Sequence, residues 1–376
     1  MRILILNYEF PPLGGGGGVA AHKLAKGFIA NGHHVDYVTS RFSGLKKYDQ
    51  IDDINLYRVK TFGRKYLSTA SFISMFSFVV FGFLKGFTLC RKNKYDFINT
   101  HFVVPTGPVG YLLSKLFSIK NILSVHGGDI YDPSKNNSPH RRWYYRSIIR
   151  FILNRADAVV AQSNNTSSNT LKLYKPKCTV KVIPLAYEIT EYIPLNRDDL
   201  KLDTDKKYLI SVGRLVKRKG FDYLIKSLKY LDNNIELLLI GDGPESDNLR
   251  SLSDDENVAE RVHFLGALDD INKFQYLHIA DVYVLSSIHE GLGIVILEAM
   301  QAGLPIVATN YGGQTDIIEN MKNGLLVDPE NETLLANAIN TIIHNKKLIS
   351  SFIEYNNKLL ENYSPTIIAK EHLALI

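Results

Sequence analysis

Twice along this 376-residue chain, short apolar runs rich in β-branched residues alternate with segments of helical period, and a stretch without periodicity separates the two sets. A strand followed by a helix returns to its sheet in the same direction, so such alternation builds parallel sheets covered by helices. In the first half, residues 3–6, 35–39, 97–100, 122–125 and 158–162 read as strands. The second half repeats the pattern at 208–212, 236–240, 262–264, 282–285 and 305–308. A helix is expected over 19–31, stopped by Gly32, with His33 and His34 entering the next strand in structural roles rather than as metal ligands. Between Pro184 and Lys207 the sequence turns polar and proline-containing, as a connection between domains does. The chain therefore divides into a domain over 1–185, a linker over 186–206 and a second domain from 207.

Composition narrows the function classes. With 45% apolar, 22% charged and 11% aromatic residues, a disordered, collagen-like or coiled-coil chain is excluded. Two cysteines, Cys90 and Cys178, make neither a disulfide scaffold nor a four-thiolate zinc site, which favours a reducing, cytoplasmic compartment. The net charge of +6 suits phosphate-bearing ligands or an anionic membrane surface and is no nucleic-acid signature. The opening MRILILNYEFPP is too short in its apolar part for a signal peptide and reads as the first strand.

From Tyr66 to Leu84 no residue is charged, a length sufficient to span a bilayer, but five serines and threonines interrupt the run. A buried helix is the expectation, with an interfacial helix and a span as the alternatives. The basic cluster Arg91, Lys92 and Lys94 that follows fits anionic lipid or a solvated helix end. Arg141 to Arg146, with Trp143, Tyr144 and Tyr145, reads as a helix packed on its own domain or, alternatively, one that meets a lipid surface.

Four motifs carry the chemistry. The glycine run from Gly14 to Gly18 follows the first strand, where backbone N–H groups and a helix N-terminus meet an anion. It lacks the Lys-Ser/Thr ending of an NTPase loop, and no ribose-binding acid follows the second strand, which argues against a dinucleotide site. In VGRLVKRKG, residues 212–220, Arg214 and Lys219 offer a fork donor and a point cation to a diphosphate; a solvated basic turn explains them equally. GDGP, residues 241–244, gives either a close-packing platform for a ligand or a plain turn. In EGLGIVILEAMQAG, residues 290–303, Glu290 and Glu298 bracket a turn and the start of an apolar helix, where carboxylates can accept bonds from sugar hydroxyls. A carboxylate on so apolar a helix costs several kcal/mol unless paired.

Together with NGLLVDP at 323–329, these motifs resemble the retaining GT-B glycosyltransferases of family 4, over almost the whole chain. The resemblance implies an α/β fold of two Rossmann-like domains facing across a cleft, with the acceptor on the first, over 1–185, a nucleotide-sugar donor on the second, over 207–362, and a terminal segment over 363–376 that returns toward the first domain. It places Arg214 and Lys219 on the donor diphosphate, Glu298 on ribose, Glu290 on the transferred sugar, and Gly293 and Ile294 on phosphate or sugar. Gly16 and Gly243 join the donor-binding set, and His126 of HGGD stands beside the donor sugar, with Asp129 a weaker candidate. His126, Glu290, Arg214 and Lys219 form the catalytic set. No metal and no cofactor are implied; the partners are a nucleotide sugar, a glycan or lipid-linked glycan acceptor and an anionic membrane surface, with no nucleic acid. The activity expected is transfer to a hydroxyl acceptor in surface polysaccharide or glycolipid synthesis, cytoplasmic or peripheral on the inner face of the cell membrane. A nucleotide-sugar 2-epimerase and a non-catalytic nucleotide-sugar-binding regulatory subunit are the alternatives.

Overall fold

A computed structural model describes residues 1–67, 70–133 and 138–376, which form two compact units, Met1–Glu188 with Asn362–Ile376 and Ile189–Glu361. In the first unit the strands are β1 (Arg2–Asn7), β2 (His34–Ser40), β3 (Tyr48–Ile51), β4 (Ile54–Val59), β5 (Phe97–His101), β6 (Lys120–Val125), β7 (Ala158–Ala161) and β8 (Val180–Val182). They form one sheet in the order β3-β4-β2-β1-β5-β6-β7-β8, parallel except for the β3–β4 hairpin. Its helices are α1 (Gly16–Ala30), α2 (Phe72–Lys92), α3 (Gly107–Phe117), α4 (Trp143–Leu153) and α5 (Asn164–Tyr174). Alternation along β1 divides the core: Ile3 and Ile5 pack with α1, while Leu4 and Leu6 pack with α2 and α3.

The second unit carries β9 (Lys207–Val212), β10 (Ile235–Ile240), β11 (Val262–Gly266), β12 (Val282–Leu285), β13 (Ile306–Thr309) and β14 (Leu325–Val327). All pairs are parallel, in the order β11-β10-β9-β12-β13-β14. The helices are α6 (Phe221–Ser227), α7 (Ser246–Asp255), α8 (Asp270–Ile279), α9 (Ile294–Gln301), α10 (Glu332–Ile343) and α11 (Lys346–Leu360). A last helix, α12 (Pro365–Leu373), belongs to the first unit and packs on α1, where Asn31 donates to the Thr366 carbonyl at 3.0 Å.

Both sheets are α/β and doubly wound, and each reverses its strand order once near its middle, between β1 and β5 in the first and between β9 and β12 in the second. Ligands of open α/β sheets bind outside the carboxyl ends of the strands at such reversals. The loops to inspect are therefore those after β1, β5 and β6 and those after β9 and β12.

Several expectations are corrected. The β3–β4 hairpin escapes a reading by pattern because its turn is Asp52-Asp53, both at positive φ, rather than an Asn-Gly or Asp-Gly pair. The short edge strands β8 and β14 are also additional. Residues 189–206 are not a free connection: Tyr192 stacks on Phe274 at 5.3 Å between centroids, and Arg197 pairs with Asp281 at 2.8 Å, binding the stretch to the second unit. The helix expected from residue 19 starts at Gly16, inside the glycine run. Finally, α2 is not a buried helix. Among the described residues it is the one helix long and apolar enough to cross a membrane, yet only a third of its most apolar window is buried. Ser68 and Thr69 of that charge-free run lie outside the described residues.

Candidate active site

In the second unit, β9 and β12 deliver the site from adjacent strand ends. The loop after β9 carries Arg214, Arg218 and Lys219; the loop after β12 carries Ser287 and Glu290 and ends at Gly293, which caps α9 in a left-handed conformation, φ +94°. Arg214 is exposed, and among the described residues its guanidinium makes no hydrogen bond or ion pair. The loop beneath it is held by GDGP: the Leu215 N–H donates to the Asp242 carbonyl at 3.0 Å, and the Glu245 N–H to the Leu215 carbonyl at 3.1 Å. A Cβ at Gly243 would stand 2.3 Å from the Leu215 carbonyl oxygen, so glycine is required there by the loop that presents Arg214.

Lys219 and Glu290, read separately from the sequence as a phosphate ligand and a sugar ligand, are paired with each other. The Lys219 Nζ donates to Glu290 Oε1 at 2.5 Å, the Ser287 hydroxyl to the same oxygen at 2.7 Å, and Arg218 to Oε2 at 3.3 Å. Both members of the pair are 7% exposed. Burial pushes the Glu290 carboxyl up, but Lys219 and Arg218 outweigh it and hold the group down at about 2. The carboxylate is thus ionised at any physiological pH, and two cations against it leave a positive surplus facing the loop of Arg214. The far side of Glu290 is fixed by the Gly313 N–H, which donates to the Glu290 carbonyl at 2.9 Å, so the YGGQTD segment after β13 completes the cradle. Arg218, Ser287 and Gly313 carry no sequence signal strong enough to single them out; their places beside Glu290 follow from the order of three parallel strands.

Glu298 lies on the first turns of α9, half-buried, and Lys273 of α8 donates to its Oε1 at 2.7 Å and to Asp270 at 2.8 Å. Burial alone would lower the Lys273 ammonium, but the two carboxylates raise it, which keeps the pair charged. The expectation that a carboxylate on this apolar helix is paired holds, and its partner is a residue the sequence did not flag.

The first unit brings together a different set. His126, at the end of β6, is buried, and its Nε2 lies 3.0 Å from His101 Nδ1 at the end of β5. Its backbone N–H donates to Asp129 Oδ1 at 2.9 Å, while Asp129 Oδ2 accepts from Val103 at 2.8 Å, so Asp129 joins the loops after β5 and β6 and positions His126. Burial pushes His126 down to about 4 and Asp129 up to about 6, and it lowers His101 well below the ordinary histidine range. His126 Nδ1 has no hydrogen-bond partner among the described residues. The glycine run faces it: a Cβ at Gly17 would stand 3.3 Å from that nitrogen and 2.4 Å from the Phe102 ring, and Gly16 opens the helix one residue earlier. His33, by contrast, lies 3.3 Å from the amino terminus in a structural contact.

Comparison with known proteins agrees with this division. Residues 14–191 match the model of glycosyltransferase family 4, and residues 193–359 match that of glycosyl transferases group 1. An uncharacterized glycosyltransferase of Methanocaldococcus jannaschii is 30% identical over 99% of this chain and 96% of its own length. The UDP-Gal:alpha-D-GlcNAc-diphosphoundecaprenol alpha-1,3-galactosyltransferase of Escherichia coli is 26% identical over 74% of each chain. Among solved structures, the sucrose-phosphate synthase of Thermosynechococcus elongatus superposes with a TM-score of 0.86 at 23% identity, covering 100% of this chain and 98% of the other.

Proposed function

The chain belongs to the group 1 glycosyltransferases of family 4, with two Rossmann-like domains of the GT-B type, and on that premise we propose that it moves a hexosyl or related sugar from a nucleoside-diphosphate donor to a hydroxyl of a glycan or lipid-linked glycan, with retention of anomeric configuration. The observation that carries this reading is the cationic strand-end cluster of the second unit, in which Arg214, without an ion pair among the described residues, stands in the same loop as Lys219 and Arg218, the two cations that hold Glu290 of the neighbouring loop and leave one positive charge in surplus.

Each part has a chemical task. Arg214 offers a planar fork to the diphosphate, and Lys219, which keeps two further Nζ protons beyond the one given to Glu290, offers a point charge. The N-terminus of α9 adds backbone N–H groups at Gly293 and Ile294 and a partial positive charge. These groups are fixed before the reaction, so they stabilise the charge that grows on the departing nucleoside diphosphate with little reorganisation. Fixed cations of this kind do the neutralising that a divalent ion does elsewhere, and transfer is proposed to be metal-independent and to use no cofactor. Glu290, ionised through its cations, accepts from hydroxyls of the transferred sugar, and Glu298, oriented by Lys273, accepts from the ribose.

In the first unit, His126 is neutral at physiological pH, and its Nδ1, buried near Gly17 and without a partner among the described residues, suits hydrogen-bonding a sugar hydroxyl rather than holding charge. The glycine-opened N-terminus of α1 at Gly16 offers backbone N–H groups beside it. A lipid-linked acceptor, as named for the Escherichia coli relative, would place the enzyme peripherally on the inner face of the membrane, in surface polysaccharide or glycolipid synthesis.

The test is a thermal-shift screen of sugar nucleotides followed by mass and NMR analysis of products with a hydroxyl acceptor. A glycosylated acceptor with the donor's anomeric configuration supports the proposal. An epimerised donor without a transfer product, or binding without turnover, contradicts it.

A further inference from the structure

In the first unit, three adjacent helices carry large apolar side chains on the face that meets water as well as on the face that meets the core. On α2 the residues turned into the unit are Phe78, Leu89 and Cys90 together with four small ones, Ser74, Ser77, Gly82 and Gly86. Phe72, Ile73, Phe76 and Leu84 are instead exposed, at 72%, 64%, 67% and 52%. The buried serines are committed: the Ser74 hydroxyl lies 2.7 Å from the Tyr8 hydroxyl, and Ser77 accepts from the Phe62 N–H at 3.0 Å. The helix therefore cannot turn its aromatic face inward without breaking a packed, hydrogen-bonded one, and a bilayer-spanning placement would strip it from its own sheet.

The outward face continues across the neighbours. On α3, Leu112 and Leu116 are exposed, and on α4 Trp143 is 79% exposed beside exposed Tyr144, Ile148 and Phe151. Phe87 of α2 packs edge-on against Phe117 of α3 at 5.4 Å, and Tyr111 of α3 against Phe151 of α4 at 5.6 Å, so the three helices form one layer. Exposed large apolar side chains gathered on one water-facing helix layer mark a docking site. Its charge names the occupant. None of the three helices contains an Asp or Glu, while Arg91, Lys92, Lys115, Arg146 and Arg150 are exposed and form no ion pair among the described residues. Exposed aromatic and aliphatic side chains on helices that also carry cations without ion pairs and no anions match an interface of acyl chains beneath negatively charged headgroups.

We propose that the α2–α3–α4 layer docks this enzyme on an anionic lipid bilayer, with Phe72, Phe76 and Trp143 inserted at the headgroup boundary and the arginines and lysines on the phosphates. This deepens the reading of a membrane-held acceptor, and rests on it only for its purpose, because docking requires neither donor nor acceptor.

Trp143 is the chain's single tryptophan and reports the contact directly. Full-length protein is mixed, without sugar nucleotide, with vesicles of phosphatidylcholine alone or with 30% phosphatidylglycerol. Emission is expected to shift to the blue and to saturate with the anionic vesicles, the protein to co-sediment with them, and the apparent affinity to fall at least tenfold on raising salt from 0.1 to 0.5 M. F72S/F76S and, separately, R146Q/R150Q are each expected to weaken vesicle binding at least tenfold while leaving circular dichroism and sugar-nucleotide binding unchanged, since all four side chains are exposed. No blue shift and no co-sedimentation with anionic vesicles overturns the proposal. So does a concentration-dependent dimer in which Trp143 is shielded without lipid, because a second copy is then the occupant. If vesicles bind but no sugar nucleotide does, the functional reading fails and the docking surface stands; the reverse result removes the surface alone.

Discussion

The strand ends of the two units are built from opposite electrostatics. In the second unit they carry paired charges at buried or half-buried positions, Lys219 and Arg218 on Glu290 and Lys273 on Glu298, and burial is outweighed so that Glu290 sits at about 2. In the first they carry imidazoles that burial keeps neutral, His126 at about 4 beside His101. The difference teaches how one architecture can offer two environments. Paired charges in low dielectric keep their strength and position, as the proposed role beside an anionic leaving group requires, whereas neutral donors and acceptors suit the hydroxyls proposed for the first unit.

The largest effect is expected where a matched charge is removed. Lys219→Ala takes away a cation for the donor and strands Glu290, so it should cost about 3–5 kcal/mol of stability and lower kcat/KM by at least ~100-fold. Adding Glu290→Gln should restore much of the melting temperature but none of the turnover. A single mutant that melts as the wild type would mean the pair is not buried in solution. Arg214→Ala should lower kcat/KM by roughly 10–150-fold, the equivalent of about 1.5–3 kcal/mol for a hydrogen bond to a charged group, with unfolding unchanged. Equal stability losses at 214 and 219 would erase the contrast between a free and a paired cation. Gly243→Ala pushes on the Leu215 carbonyl and should raise the donor KM about tenfold by displacing the Arg214 loop, which steady-state kinetics would register.

A pH series separates the units. A histidine whose pKa falls on folding contributes fully above the unfolded value of 6.5, and that contribution is lost as the pH falls toward the folded value, here about 4 for His126 and about 3 for His372. Asp129, raised to about 6, has the opposite sign: its contribution is complete below 3.8 and lost as the pH rises through 6, so it offsets part of the histidine effect. Glu290 loses its contribution only between 4.5 and about 2. Melting curves should therefore drop between pH 7 and 5 through the first unit, and His126→Gln should reduce that drop by about 1–2 kcal/mol. An unaltered profile in the variant would place the titration elsewhere. The smallest effect is predicted for EDTA, which should leave transfer unchanged; restoration by Mn²⁺ alone would contradict the role given to the fixed cations.

Much of the scaffold is legible in the sequence because β-branched runs and helical period are local signals, and the strands bearing the site, β1, β5, β6, β9 and β12, fall where those signals put them. Glu298 is legible as a residue, since a carboxylate on an apolar helix has few inert explanations, whereas Arg214 and Glu290 are legible only through the family resemblance of their motifs, because a basic turn is equally well explained by solvation. Their partners are not. That Lys219 meets Glu290, or that Lys273 meets Glu298, depends on strand order, which brings residues 71 and 25 positions apart into contact. The orientation of α2 was equally hidden: its composition is apolar all round, large side chains lie on both its faces, and only the spacing of Ser74, Ser77, Gly82 and Gly86 hints at which face packs closely on the sheet.

The central claim is that the loops after β9 and β12 grip a pyrophosphate. Calorimetric titration of nucleoside diphosphates (UDP, GDP, ADP and TDP) and the matching monophosphates into wild type and Arg214→Ala addresses it with no acceptor present. At least one diphosphate should bind the wild type and bind the variant roughly 10–150-fold more weakly, with little change for its monophosphate. Binding of that diphosphate with equal affinity to both proteins, or of none to the wild type, would contradict the account.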